Sequence, residues 1–159
     1  MTTREELIDG LQLVLREGLR TTQGFTPEDW AYQVHDEGGG WSAKQLYCHL
    51  ASSAEITPGF IGAMSQAPAD QNVVAGFDID SFNAQGVSKY AAMGEKELLD
   101  AFKTQHEKVI AFVRGMPDEQ LQQQRRFAYL SAPVADIMQT VLVLHGMYHI
   151  YSAQSRPLI

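Results

Sequence analysis

Apolar residues recur at three- and four-residue spacing through most of the chain. Leu7, Leu11, Val14, Leu15 and Leu19 do so first, and residues 4–23 read as an amphipathic helix. Thr26-Pro27-Glu28-Asp29 sets a capping threonine before a proline at the first helical position, the start of a short turn. Gly38-Gly39-Gly40 then breaks the chain. Ser42-Ala43-Lys44-Gln45 is a capping-box pattern, in which Ser42 and Gln45 satisfy each other's free amides. It opens a second helix carrying Leu46, His49, Leu50, Ala54 and Ile56. Pro58-Gly59 is expected to kink or interrupt that helix before Phe60, Ile61 and Met64 continue it. Residues 66–76 have a loop composition.

Asp80 or Ser81 is expected to cap a shorter helix through Phe82, Val87 and Tyr90. Residues 95–115 form a long helix with Leu98, Leu99, Phe102, Val109 and Phe112 on its apolar face, and Pro117-Asp118-Glu119 marks a turn. Ser131-Ala132-Pro133 is expected to begin the last long helix, through Val134, Ile137, Val141, Leu144, Tyr148 and Ser152. Residues 125–130 alternate in polarity, yet no partner strand is evident. Four long helices joined by loops of unequal length predict an all-α four-helix bundle, a single domain over residues 1–159.

Composition narrows the function classes. The 159 residues are 45% hydrophobic and 19% charged, ordinary values for a globular chain. A net charge of −7 disfavours nucleic acid and anionic membrane surfaces, and Arg125-Arg126 is the one basic pair worth noting. No apolar run approaches the roughly 20 residues that cross a bilayer. Thr2-Thr3-Arg4-Glu5-Glu6 reads as a helix start rather than a signal peptide. A lone cysteine, Cys48, excludes an intramolecular disulfide and suits a reducing cytosol. These features predict a soluble cytoplasmic protein acting on a small molecule, with a homodimer as the default assembly.

The chemistry concentrates in Leu144-His145-Gly146-Met147-Tyr148-His149. Histidines four apart on a helix project from one face, and neutral imidazole is the commonest metal ligand among side chains. A buried histidine pair also occurs simply hydrogen-bonded in a core. Three features favour the metal. The pair lies in an otherwise apolar helix, where unpartnered imidazoles are costly to bury. His49 shares an inward face with Leu46 and Ser53 on another helix, and a bundle brings such faces together. Three neutral nitrogens around one divalent ion also leave coordination positions open, as catalytic sites require.

Trp41-Ser42-Ala43-Lys44-Gln45-Leu46-Tyr47-Cys48-His49-Leu50, with the later His145-x-x-x-His149, resembles the DinB-like superfamily. Phe77-Asp78-Ile79-Asp80-Ser81-Phe82-Asn83 is similar to the middle segment of its maleylpyruvate-isomerase-like branch. The resemblance implies a four-helix bundle binding a divalent metal, zinc or nickel first, through His49, His145 and His149. It further implies a low-molecular-weight thiol such as mycothiol, bacillithiol or glutathione as cosubstrate, and pocket positions at Asn83 and Gln85. The second domain that mycothiol-dependent isomerases carry after the bundle is not expected here.

The remaining candidates have plainer readings. His106 shares the face of Phe102, Val109 and Val113 and is expected in the core, with a role beside the metal ligands as the alternative. Tyr148 either orients a ligand or packs in the bundle. His35, beside Asp36 and Glu37, is expected in solvent; Cys48 is expected as a buried, inert thiol; Glu55 is expected to face away from His49. Two functions stand against each other: a metal-dependent enzyme of thiol-transfer, isomerase or hydrolytic type, and a non-catalytic metal- or small-molecule-binding helical module.

Overall fold

In this computed structural model, residues 1–34 and 40–154 are described. His35 and most of the Gly38-Gly39-Gly40 break therefore lie outside the described residues. Helix starts are set by side chains that satisfy free backbone amides. Thr3 and Glu6 cap each other at the start of α1 (Arg4–Thr21), as Thr26 and Asp29 do for α2 (Pro27–Ala31) and Ser42 and Gln45 for α3 (Ala43–Gln66). α4 (Ile79–Tyr90) begins earlier than expected. The Asp78 carboxylate accepts from the Ser81 amide at 3.0 Å and from its hydroxyl at 2.7 Å, which leaves Asp80 inside the first turn. α5 (Glu95–Gly115) has the predicted bounds, and α6 (Asp118–Leu121) follows at the predicted turn.

Two expectations are corrected. Of the kink or interruption expected at Pro58-Gly59, the interruption does not occur: α3 runs on through Pro58. Proline in a helix interior costs about 3 kcal/mol, but Ala54, Thr57, Ile61 and Met64 are all buried around it, and that packing holds the helix together. Residues 125–130 also have a strand partner. β1 (Gln124–Phe127) pairs antiparallel with β2 (Leu130–Pro133), with Phe127 opposite Leu130 and Gln124 opposite Pro133. Ser131 and Ala132 are thus strand residues. The last helical run starts at Val134, passing from α7 (Val134–Met138) through a π-helical stretch (Gln139–Leu144) into α8 (His145–Gln154).

α3 is the central element, packed on α5 and α4, while α1 packs on α5 and α8. The shared core holds Leu7, Leu11, Leu46, Leu98, Phe102 and Ile150, all fully or almost fully buried. Close approach of α1 depends on Gly18: a Cβ there would meet the Phe102 ring at 2.6 Å. The Gly18 carbonyl also accepts from the buried Tyr47 hydroxyl at 2.7 Å, a bond across helices. The hairpin is tied to the end of α3 by Arg125, which donates to the Met64 carbonyl at 2.7 Å and the Ser65 carbonyl at 3.3 Å. A cation on the last carbonyls of a helix is favoured by both hydrogen bonding and the helix dipole.

Candidate metal centre

α3 carries His49 and α8 carries His145 and His149, and the packing of these helices brings the three rings together. Their ligand-capable nitrogens lie within 4.8 Å of one another. Ring centroids are 5.3 Å apart for His49 and His145, 5.2 Å for His49 and His149, and 4.3 Å within the α8 pair. The Nε2 atoms of His145 and His149 approach to 2.8 Å. Imidazole nitrogens bond divalent ions at about 2.0–2.1 Å, so separations of this order suit ligands gathered round one ion.

His49 and His149 are buried and His145 is half-buried. Burial, reinforced by the two neighbouring imidazoles, pushes the His49 pKa down to about 3. Its ring is therefore neutral at pH 7 and offers a lone pair, the form in which histidine binds metals. Trp41, just before the α3 cap, sets its ring 5.1 Å from that of His49. The π-helical stretch leads directly into His145; such wider turns concentrate at functional sites.

The triad lines a cavity of about 880 Å³ between α3, α4, the hairpin and the last helical run. Four phenylalanines contribute to its wall: Phe60, Phe77, Phe82 and Phe127. Ser53, Thr57, Asn83 and Thr140 add polar atoms, and Asp80 adds a carboxylate. The Thr57 hydroxyl donates to the Ser53 carbonyl at 2.7 Å and that of Thr140 to the Asp136 carbonyl at 2.9 Å, which fixes both side chains.

The other expected site residues fall in different places. His106 is buried, with Nδ1 2.8 Å from the Phe102 carbonyl, and does not line the cavity. Tyr148 is 45% exposed, lines the cavity and sets its ring 5.5 Å from that of His149. Asn83 lines the cavity and Gln85 does not. Cys48 is buried, which raises its thiol pKa to about 11 and keeps it protonated at neutral pH. Glu55 turns to Lys89, 2.6 Å away, and accepts from the Tyr90 hydroxyl at 3.0 Å. The aromatic wall was not anticipated as a site. Its only sequence signal was the presence of Phe77 and Phe127 outside any helical face.

A mostly helical bundle with a histidine triad opening on an apolar cavity defines the class of protein. The chain matches the family model of the mycothiol maleylpyruvate isomerase N-terminal domain over residues 11–146, and it belongs to that DinB-like family. Its fold is similar to that of YfiT from Bacillus subtilis, described as "a probable metal-dependent hydrolase with an unusual four-helix bundle topology". That similarity has a TM-score of 0.65 at 14% identity and covers 94% of this chain and 83% of the other. No curated protein matches the chain.

Proposed function

We propose that the protein is a divalent-metal-dependent hydrolase whose ion is held by His49, His145 and His149, with zinc or nickel the first candidates. The observation that carries this reading is the convergence of three imidazoles, contributed by two helices, on the wall of a ligand-sized cavity. The donor set fits such an ion, since all three are nitrogen ligands and no carboxylate or thiol among the described residues joins them in the cluster. A bound divalent ion would act as a Lewis acid, acidifying water or a thiol and polarising a carbonyl.

The chain's own residues do the rest. Trp41 and Tyr148 flank the triad and limit how its rings turn. The phenylalanine wall gives the space beside the triad an apolar lining, which strengthens electrostatic interactions there. Ser53 and Asn83 supply polar atoms to orient a substrate. A second reading, thiol-dependent transfer or isomerisation, is favoured by the family to which the chain belongs. On either reading the chain works as one domain over residues 1–159 on a small molecule and not on nucleic acid, in keeping with its net charge of −7. No helix among the described residues is long and apolar enough to cross a membrane. The lone buried Cys48 supports a reducing cytoplasm. Assembly as a homodimer remains part of the proposal.

Elemental analysis of protein purified without chelators tests the centre. About one divalent ion per chain is expected, lost when His145 and His149 are both replaced by alanine and retained in His106→Leu. Folded protein that takes up no stoichiometric zinc, nickel, manganese or iron would overturn it. Ester and amide hydrolysis by the loaded protein, measured with and without added thiol, separates the two reactions.

A further inference from the structure

We infer that the cavity takes a predominantly aromatic, apolar molecule with a single polar or singly anionic group, and that it discriminates against dicarboxylates. The position of that one group, at the triad, rests on the metal reading above. The class of the remainder rests on the wall.

The wall is mostly apolar and carries almost no charge. Asp80 is the one charged side chain among the described residues that line it. The cations on the neighbouring elements do not reach it: Lys89 pairs with Glu55 at 2.6 Å, Arg125 is held by the carbonyls ending α3, and Arg126, beside Phe127 on β1, is exposed and does not line the cavity. A second carboxylate entering this space would be stripped of water with no cation to meet it, which is costly. Three neutral imidazoles with a divalent ion would carry +2, against Asp80 as the one acidic side chain on the described wall. The balance accommodates one anionic group.

Aromatic complementarity supplies the rest. Phe60, on α3, stands at the centre of a ring cluster, with Phe77 at 6.1 Å, Phe82 at 5.8 Å and Phe127 at 5.9 Å, all edge-on. Phe77 and Phe82 are themselves 4.9 Å apart. Such edge-to-face arrangements extend readily to one more flat ring. Around the mouth, Phe77, Ile79, Tyr129, Leu144 and Tyr148 are all exposed, Tyr129 to 89%. Among the described residues the only other large apolar side chains left in solvent are Met1 and Tyr151. Exposed apolar surface gathered at one opening marks a binding site. A volume of about 880 Å³ lies within the range of small-molecule sites.

The test uses N-phenyl-1-naphthylamine, a neutral fluorescent amine, titrated into the full chain in chelator-treated and metal-loaded forms. Saturable binding is expected in both forms. A naphthyl ester and 2-naphthoate should displace the probe, naphthalene-2,6-dicarboxylate about tenfold more weakly, and maleate not at all. Phe60→Asp should weaken probe binding about tenfold while circular dichroism and metal content hold. Asp80→Lys, at an exposed position, should narrow the gap between the mono- and dicarboxylate. Absent probe binding in both forms of folded protein, or equal displacement by the two naphthoates from metal-loaded protein, overturns the inference. Probe binding displaced by the naphthyl ester but by neither naphthoate, in a chain that takes up no metal, upholds the aromatic site and removes the metal reading together with the anionic group that rests on it.

Discussion

On one side of α3, Tyr47 meets the Phe102 ring at 5.4 Å and donates to the Gly18 carbonyl; on the other, His49 faces His145 and His149 along a cavity of about 880 Å³. Both sides are rich in aromatic rings, and each borders a buried histidine whose proton affinity is depressed by desolvation, His106 to about 4 and His49 to about 3. They differ in how the space between helices is used. On the first side a glycine lets two helices close until nothing but Phe102 fits, and His106 is satisfied by the carbonyl one turn back. On the second the rings line a space they do not fill, and three imidazoles turn toward one another. Burial and a shifted pKa are thus common to both sides, and unfilled volume with converging nitrogens marks the site.

The largest effect separates the two sides by packing. Phe102→Ala should lower stability by about 3–5 kcal/mol, because its ring is fully buried and the site around Gly18 cannot collapse. Phe60→Ala should cost roughly 1–2 kcal/mol, since a half-buried ring beside an open cavity leaves no new closed void. Urea denaturation of both variants in chelator provides the comparison. Equal losses would mean that the cavity side is packed as tightly as the core.

Much of the first side was legible in the sequence. The N-cap at Thr26, the capping box at Ser42 and the apolar period of residues 95–115 fix helix starts and faces locally, and the structure keeps them. His49, His145 and His149 were legible as a set because helical spacing predicts a shared face, and the bundle brings the faces together. The cavity wall was not legible. It is assembled from residues remote in sequence, and four of its contributions (Phe127, Ala128, Tyr129 and Leu130) come through a hairpin whose register is a tertiary fact. Pro58 misled for a related reason: its local cost is real, but neighbouring helices outweigh it. Asp78 could have been read as the cap of α4, yet three acidic or hydroxyl residues within four positions offered equally good local chemistry.

A smaller effect sharpens the histidine contrast. His106 has its pKa lowered from an ordinary 6.5 to about 4, chiefly by burial, so the folded state holds it neutral where the unfolded chain would protonate it. Between those two pH values the unfolded state binds more protons, and stability therefore falls as pH is lowered. The stabilisation is present above pH 6.5 and is lost progressively toward pH 4. The loss is on the order of 3 kcal/mol for His106. His106→Leu should lessen the slope of that part of the profile in chelator-treated protein, where His49 still contributes in the same direction, with the metal content of loaded protein unchanged. A variant whose stability between pH 6.5 and 4 tracks the native chain would show that His106 is not the titrating group.

The smallest effect lies at the turn that carries the hairpin into the cavity wall. Ala128 has φ +53°, the one positive value outside glycine among the described residues, and it stands at the first position of the two-residue connection between Phe127 and Leu130. Tight antiparallel turns of this kind favour glycine there, because a Cβ crowds the following carbonyl. No glycine marks the turn, which is why alternation in residues 125–130 gave no strand pair. Asn72 supplies the missing restraint from outside the hairpin: its side chain accepts from the Ala128 amide at 3.1 Å and donates to the Ala128 carbonyl at 2.9 Å. Ala128→Gly keeps both backbone bonds and relieves the strain, at the cost of a more disordered unfolded chain. A net gain of about 0.5 kcal/mol is expected, against a loss of about 1 kcal/mol for Ala128→Val. Denaturation midpoints in the two variants read the difference. A glycine variant less stable than the native chain would show that the Asn72 bracket had already removed the strain, leaving only the entropy cost of the glycine.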